Sequence, residues 1–238
     1  MTETLAFVGV AGGVGTTRTV VETAATLARG GKTVAVVDAA FDTQGLSTYV
    51  EGTLDPDCTA VAVEEAGFSE ALVEVWPELD GTVALCPAYA PFERLARAKT
   101  PDAAQRFETC LDHAASQYEH VLVDVPPIAA NQAIAAVRRA DQRVLVAPAT
   151  RRGNDHLPRM RGRLVDIGCD ADTVVATFAD EQTALTEPDY ELPTGERDVV
   201  TPTAVDPDTT FAPAVETMAE GLCDCSLDLE FPDEGLFD

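Results

Sequence analysis

Lysine is almost absent from this chain. Lys32 and Lys99 are the only two in 238 residues, and the remaining basic side chains are arginines. Against 41 Asp and Glu, the 16 cations leave a formal net charge of −25 and a pI near 4.2. A surface of that sign repels phosphate backbones and anionic headgroups, so neither nucleic-acid binding nor electrostatic membrane attachment is expected. No apolar run approaches the roughly 20 residues that a spanning helix needs, and no apolar leader is recognisable. Membrane insertion is therefore not expected, and the expected compartment is a reducing cytoplasm. Cysteine is present but unpaired in pattern. Cys58, Cys86, Cys110 and Cys169 sit singly among apolar residues and read as small hydrophobes. Cys223-Asp224-Cys225 has the look of half a metal site, with no second Cys/His pair in the sequence to complete it.

The organising stretch is Gly9-Val10-Ala11-Gly12-Gly13-Val14-Gly15-Thr16-Thr17-Arg18. It follows the apolar run Leu5–Val8 and precedes a helical pattern that ends at Gly30-Gly31. Strand, glycine loop and helix in that order make a phosphate-binding loop: backbone N–H groups converge on anionic oxygens and the helix N-terminus adds partial positive charge. The common pattern G-x-x-x-x-G-K-[ST] puts a lysine on the outer phosphates and a hydroxyl on magnesium. Here Thr17 supplies the hydroxyl, Thr16 stands at the lysine and Val10 at the first glycine.

These residues resemble the deviant phosphate loop of the MinD/ParA family, K-G-G-V-G-K-T-T. Gly12, Gly13, Val14, Gly15 and Thr17 match, while Ala11 and Thr16 replace both lysines and Arg18 replaces the last threonine. The resemblance implies an α/β fold, a three-layer doubly wound, mostly parallel sheet flanked by helices as in P-loop NTPases. It also implies nucleotide contacts from Gly12, Gly13, Val14, Gly15, Thr16, Thr17 and Arg18. Later elements follow the same order. Thr33–Asp38 reads as a buried parallel strand; the family ends this strand in D-x-D, and here Asp38 is present but Ala40 replaces the second acid. Asp42, in Asp42-Thr43-Gln44-Gly45, is the candidate substitute, and Asp38 and Asp42 are the candidate catalytic acids. His120–Asp124 followed by Val125-Pro126-Pro127 resembles the family's Walker B strand, D-x-P-P. Thr17, Asp38 and Asp124 are accordingly the candidate magnesium ligands.

Short helical patterns are expected through residues 52–80. A strand is expected over Thr82–Ala88, and helices from Pro101 and over Ala130–Ala140. A strand ending at Pro148 and another over Asp172–Phe178 follow. The family reads adenine with an asparagine after the latter strand, and Thr177-Phe178 departs from that. Arg151–Arg163 carries five arginines around an inner stripe of Leu157, Met160, Leu164 and Ile167. Pairing with the chain's own carboxylates, contact with an anion or acidic partner, and nucleic-acid contact all remain open for it. Residues 180–213 read as mostly loop and Thr210–Leu222 as a last helix. Residues 1–222 are expected to form one domain, and 223–238 a flexible acidic tail carrying Leu227, Leu229, Phe231, Leu236 and Phe237.

The lysine-poor acidic composition resembles that of proteins from salt-loving archaea. The resulting functional expectation is a MinD/ParA-like regulator of spatial positioning or partitioning with a degenerate site. ATP or ADP with magnesium would bind weakly or not at all, and hydrolysis would be weak or absent, as in a pseudo-ATPase. Its partner would be a protein, either an intact family ATPase or a second copy of itself. The alternative is an active ATP-hydrolysing dimeric switch in which Arg18, Arg151 or Arg152 replaces the lysines. A small-molecule kinase or transferase would want an acceptor motif, and none is recognised. Since salt screens self-repulsion among carboxylates, the melting temperature is expected to rise by several degrees between 0.1 M and molar KCl. A scanning-fluorescence series in KCl checks this, and a flat or falling trend contradicts it.

Overall fold

The computed structural model describes residues 3–180, 184–195 and 200–232. The strands are β1 (Glu3–Gly9), β2 (Thr33–Asp38), β3 (Val73–Val75), β4 (Thr82–Cys86), β5 (His120–Val125), β6 (Gln142–Pro148), β7 (Thr173–Ala179) and β8 (Tyr190–Pro193). They form one sheet in the order β3-β4-β2-β5-β1-β6-β7-β8, parallel except for the edge strand β3. The helices are α1 (Thr16–Arg29), α2 (Cys58–Ala62), α3 (Phe92–Ala98), α4 (Pro101–Gln117), α5 (Asn131–Arg139), α6 (Arg151–Asp166) and α7 (Phe211–Cys223). This is the expected α/β architecture.

Runs without alternation explain the sheet's centre. Leu5–Val8, Val34–Val37 and Val121–Val123 are each fully buried, because helices cover both faces of a parallel sheet. α1 is the most enclosed helix: every residue from Thr19 to Ala28 is buried, against the sheet on one side and α7 on another. Some of its interior polar groups are satisfied within the helix, as when the Thr23 hydroxyl donates to the Thr19 carbonyl at 2.7 Å. Gly30 and Gly31 end it.

The chain beyond β2 turns inward. Ala39, Ala40 and Phe41 are buried, and the Phe41 ring meets Phe107 of α4 edge-on with centroids 5.7 Å apart. At the start of α5, the Gln132 side chain donates to the Ala39 carbonyl at 3.3 Å. The loop that carries acids in the related pattern is here an apolar plug.

Two regions depart from the expected elements. The stretch read as loop over 180–213 contains β8, which adds to the sheet beside β7 with a bulge between Ala176 and Ala179. Four residues ending at Pro193 are too short to carry a period, so the pairing comes from the available edge of β7 rather than from local pattern. Residues 52–80 contain α2 and a short 3₁₀ turn, Phe68–Glu70, and also β3, whose three residues show no period. Residues 181–183 and 196–199, and Leu236 and Phe237 of the tail, lie outside the described residues.

After α7 the chain runs back along α1. Leu227 packs directly on Gly30, and the Leu227 and Leu229 amides donate to Glu220 and Glu216 at 2.6 and 2.8 Å. Arg29 donates to the Glu230 carbonyl and lies 5.1 Å from the Phe231 ring centre.

Phe41 is wholly buried at the point where this plug meets α4, so Phe41→Ala removes packing that neighbours cannot refill. A loss of about 3–5 kcal/mol is expected, read as the shift in free energy from denaturant unfolding. A loss below about 1 kcal/mol would mean that the plug is not packed as described.

Candidate functional site

The glycine loop leaves β1 at Gly9 and enters α1 at Thr16. Gly13 and Gly15 have φ of 72° and 85°, the left-handed region where a side chain is strained. Gly15 occupies the N-cap without any side-chain cap, and the first turn of α1 holds no acid. In a chain with 41 carboxylates, an uncapped and acid-free helix start is suited to an anion. The loop is anchored from outside: the Thr177 hydroxyl donates to the Val14 carbonyl at 2.7 Å, and the Val10 amide to the Val146 carbonyl at 3.0 Å.

Strand register places the two key carboxylates. Asp38 and Asp124 are direct partners at the ends of β2 and β5. The Thr17 hydroxyl donates to Asp124 at 2.5 Å. Asp38 accepts the Ala40 amide at 2.7 Å and the Ala88 amide at 3.2 Å. Neither carboxylate is in contact with water to any extent, at 0% and 1% exposure. Burial, and then the Asp124 charge, push the Asp38 carboxyl up to about 8. Burial raises Asp124 too, with Thr17 acting in the opposite direction.

Nearby groups complete the frame. Asp57 is buried at the start of α2 and accepts from the Thr59 hydroxyl and the Ala60 and Tyr89 amides. With Asp38 on the Ala88 amide, it stitches the chain after β4 to the end of β2. Gly45 packs on Thr17, so the turn after Asp42 lies over the start of α1. Beside the loop opens a cleft of about 790 Å³, lined among others by Gly13, Gly15, Arg18, Tyr49, Phe178 and Pro193. Phe178 is 41% exposed, and its ring lies against Gly15.

The fold thus brings together Gly12, Gly13, Val14, Gly15, Thr16 and Thr17 with Asp38 and Asp124 at one edge of the sheet. Asp42 is turned elsewhere, ion-paired to Lys99. Arg18 pairs with the fully buried Glu22, and its charge acts on the nearby Tyr49. Burial raises the Glu22 carboxyl, which also accepts from the Thr203 amide and hydroxyl at 2.9 and 2.7 Å. Among the described residues, none of the five arginines from Arg151 to Arg163 forms an ion pair with a carboxylate; Arg163 donates to the Ile128 carbonyl at 3.0 Å. The sequence reading missed Glu22, Tyr49 and Asp57, and did not expect a cleft at Phe178. The i,i+4 spacing of Arg18 and Glu22 and the cap pattern Asp57-x-Thr59 were the signals for two of them. Nothing local marks the cleft wall from β8.

A phosphate-loop helix at the centre of a mostly parallel sheet, with a hydroxyl and two strand-end carboxylates beside it, defines the P-loop NTPase fold of MinD/ParA type. Residues 2–160 match the model of a family described as AAA domain, and the chain belongs to that family. No curated protein matches. Among solved structures, the chain is similar to the septum site-determining protein MinD from Pyrococcus horikoshii complexed with Mg-ADP. There the TM-score is 0.77 at 17% identity, over 93% of this chain and 96% of that one. The MinC:MinD cell division protein complex of Aquifex aeolicus gives 0.76 at 20% identity, over 96% and 98%. A putative plasmid partition protein from Borrelia burgdorferi bound to AMPPNP gives 0.76 at 12%, over 94% and 98%. At such identities the likeness is one of fold.

The raised Asp38 carboxyl has a thermodynamic consequence. Between about pH 4 and about 8 the folded chain holds a proton that the unfolded chain has released, so folding stability falls as pH rises through that window. Asp38→Asn removes this slope at the cost of a pH-independent loss from one amide contact. The stability of the variant relative to wild type is therefore expected to improve from pH 5 to pH 8, by up to about 1.4 kcal/mol per pH unit. Parallel stability curves for the two proteins, measured without magnesium, would contradict the assignment.

Proposed function

We propose that this protein is a MinD/ParA-like regulator of positioning or partitioning that binds nucleotide weakly, hydrolyses it little or not at all, and acts through protein contact. The observation that carries the reading is the arrangement of Thr17, Asp124 and Asp38 around an uncapped helix start from which both lysines are missing. Backbone amides from Gly12 to Thr17 would hold phosphate, and Thr17, Asp38 and Asp124 would hold magnesium through oxygen atoms or bound water. Magnesium, when bound, would neutralise phosphate charge and keep the two carboxylates ionised. The cleft at Phe178 is of a size for a nucleoside, and the ring offers a stacking face where an asparagine is missing. These features support a retained binding site.

The features needed for turnover are weaker. A cation on the transferring phosphoryl group is worth about 10³–10⁵ in rate, and Ala11 and Thr16 supply none. The position of the second acid of D-x-D is Ala40, buried in the plug, and Asp42 is engaged by Lys99. The dimeric-switch alternative assigns the lysines' work to arginine. Arg18 is ion-paired to Glu22, which weighs against it. The MinD and partition-protein likenesses support the assignment to positioning or partitioning, and the MinC:MinD complex supports a protein partner.

Titration calorimetry with ATP or ADP and magnesium in molar KCl tests the reading. A dissociation constant in the upper micromolar range or weaker is expected, lost in Asp124→Ala, with no turnover above background. Thr16→Lys restores one charge-assisted phosphate contact worth about 1.5–3 kcal/mol, so ATP binding is expected to tighten about 10–100-fold. Rapid hydrolysis by the unmodified chain would overturn the non-catalytic reading. Binding that Thr16→Lys does not change would remove the loop as the phosphate site.

A further inference from the structure

At the opposite edge of the sheet from the glycine loop, three elements converge. Glu3 opens β1 and His120 opens β5; the two are register partners on adjacent parallel strands. Cys223 is the last residue of α7. One donor atom from each, a carboxylate oxygen, an imidazole nitrogen and a thiol sulfur, lies within 4.8 Å of the other two. Asp124 lies four residues along β5 from His120, which puts this cluster about 13 Å from Asp124, at the other end of the strand from the glycine loop.

The cluster carries a mark that ordinary packing leaves unexplained. His120 is 8% exposed, and its Nδ1 has no hydrogen-bond partner. A buried imidazole nitrogen left without a partner costs free energy unless something occupies its lone pair. Glu3 is already oriented: the Gln142 side chain donates to its carboxylate at 2.5 Å and to the Leu222 carbonyl at 3.2 Å, tying the acid to the end of α7. Outer-shell amides of this kind fix ligating carboxylates in metal sites. Cys225 follows two residues on, and after burial its charge is the next cause that raises the Cys223 thiol. It lies outside the set of three mutually close donors and would have to turn inward to serve as the fourth. Lys32, which stands near His120 and Cys225, offsets part of the negative charge of such a set.

We propose that Glu3, His120 and Cys223, with Cys225 as the fourth donor, form a structural site for a thiophilic divalent cation, zinc above all. The donor set argues for the class. Sulfur and imidazole nitrogen select zinc over magnesium or calcium, which take oxygen alone. Tetrahedral zinc with bonds of about 2.0–2.3 Å brings donors to roughly 3.3–3.8 Å from one another. The three donors within 4.8 Å would close by about 1 Å, and Cys225 would turn inward to join them. The Cys-x-Cys half-site, which had no partner pair in the sequence, finds one in space, because parallel strands bring residues 3 and 120 side by side. Such an ion would fasten the end of α7, and the chain after it, to the centre of the sheet.

The test uses the full chain, stripped with chelator and exchanged into molar KCl with excess magnesium, so that surface carboxylates are occupied. Cobalt(II) is titrated first as a spectroscopic probe, then zinc by dye competition. One equivalent is expected, with a near-ultraviolet thiolate-to-cobalt charge-transfer band and a zinc-dependent rise in melting temperature. Cys223→Ser is expected to weaken zinc by more than about a hundredfold and to cut the band by about half or more. Gln142→Ala is expected to weaken it by about 10–100-fold, the range for an outer-shell partner, and Cys169→Ser to change nothing. His120→Asn is expected to behave like Cys223→Ser; if it does not fold, Cys223→Ser decides alone. Absence of a saturating cobalt–thiolate band in the wild type, or zinc binding unchanged by Cys223→Ser, overturns the proposal. None of these readouts depends on nucleotide.

Discussion

The hydrogen bond from Thr17 to Asp124 ties the start of the most enclosed helix to the end of a central strand. Much of the site follows from it. With α1 anchored there, the glycine loop must close between β1 and α1 in few residues, which forces left-handed backbone at Gly13 and Gly15. With Asp124 anchored, the β2–β5 register brings Asp38 alongside it. Asp38 in turn holds the amides of Ala40 and Ala88, and so sets the paths of the chain after β2 and after β4. A single oxygen–oxygen contact thereby positions segments that are far apart in sequence.

The electrostatics of that cluster bear on the nucleotide binding proposed for it. Two carboxylates sit in a dry environment with no cation among their described partners, and both are shifted toward the neutral form, Asp38 further than Asp124. Where related loops place lysine, this chain places alanine and threonine. The positive potential that remains is the backbone's own, from the uncapped helix and the converging amides. Magnesium would have to displace protons as well as water to enter, which lowers affinity for the metal–nucleotide pair relative to a site already ionised. An anion attracted only by amide dipoles, on a molecule with net charge −25, is held weakly unless salt screens the rest of the surface.

Much of this was legible in the sequence where local pattern and fold agree. α1, β2, β5 and β6 follow from unbroken apolar runs, glycine stops and acidic strand ends, because a parallel sheet covered on both faces demands such runs. Gly12–Thr17, Asp38 and Asp124 were visible for the same reason: phosphate loops are contiguous and strand-end acids sit at fixed offsets. What sequence could not supply was spatial adjacency between short or distant pieces. β3 and β8 are three and four residues long and owe their pairing to the edges offered to them. The partners of Asp42 and Arg18 depend on how loops fold back. Glu3, His120 and Cys223 are separated by more than a hundred residues at each step and meet only through strand register and the return of α7.

Phe178 adds a different lesson. At φ 58° its backbone is in a region that disfavours a large aromatic residue by roughly 1–2 kcal/mol. Glycine there would relax the chain. The bulge against β8 holds the backbone in that state and delivers the ring to the mouth of the cleft. If the cleft takes a nucleoside as proposed, stability and recognition pull in opposite directions at this one position: glycine would ease the backbone and erase the aromatic face.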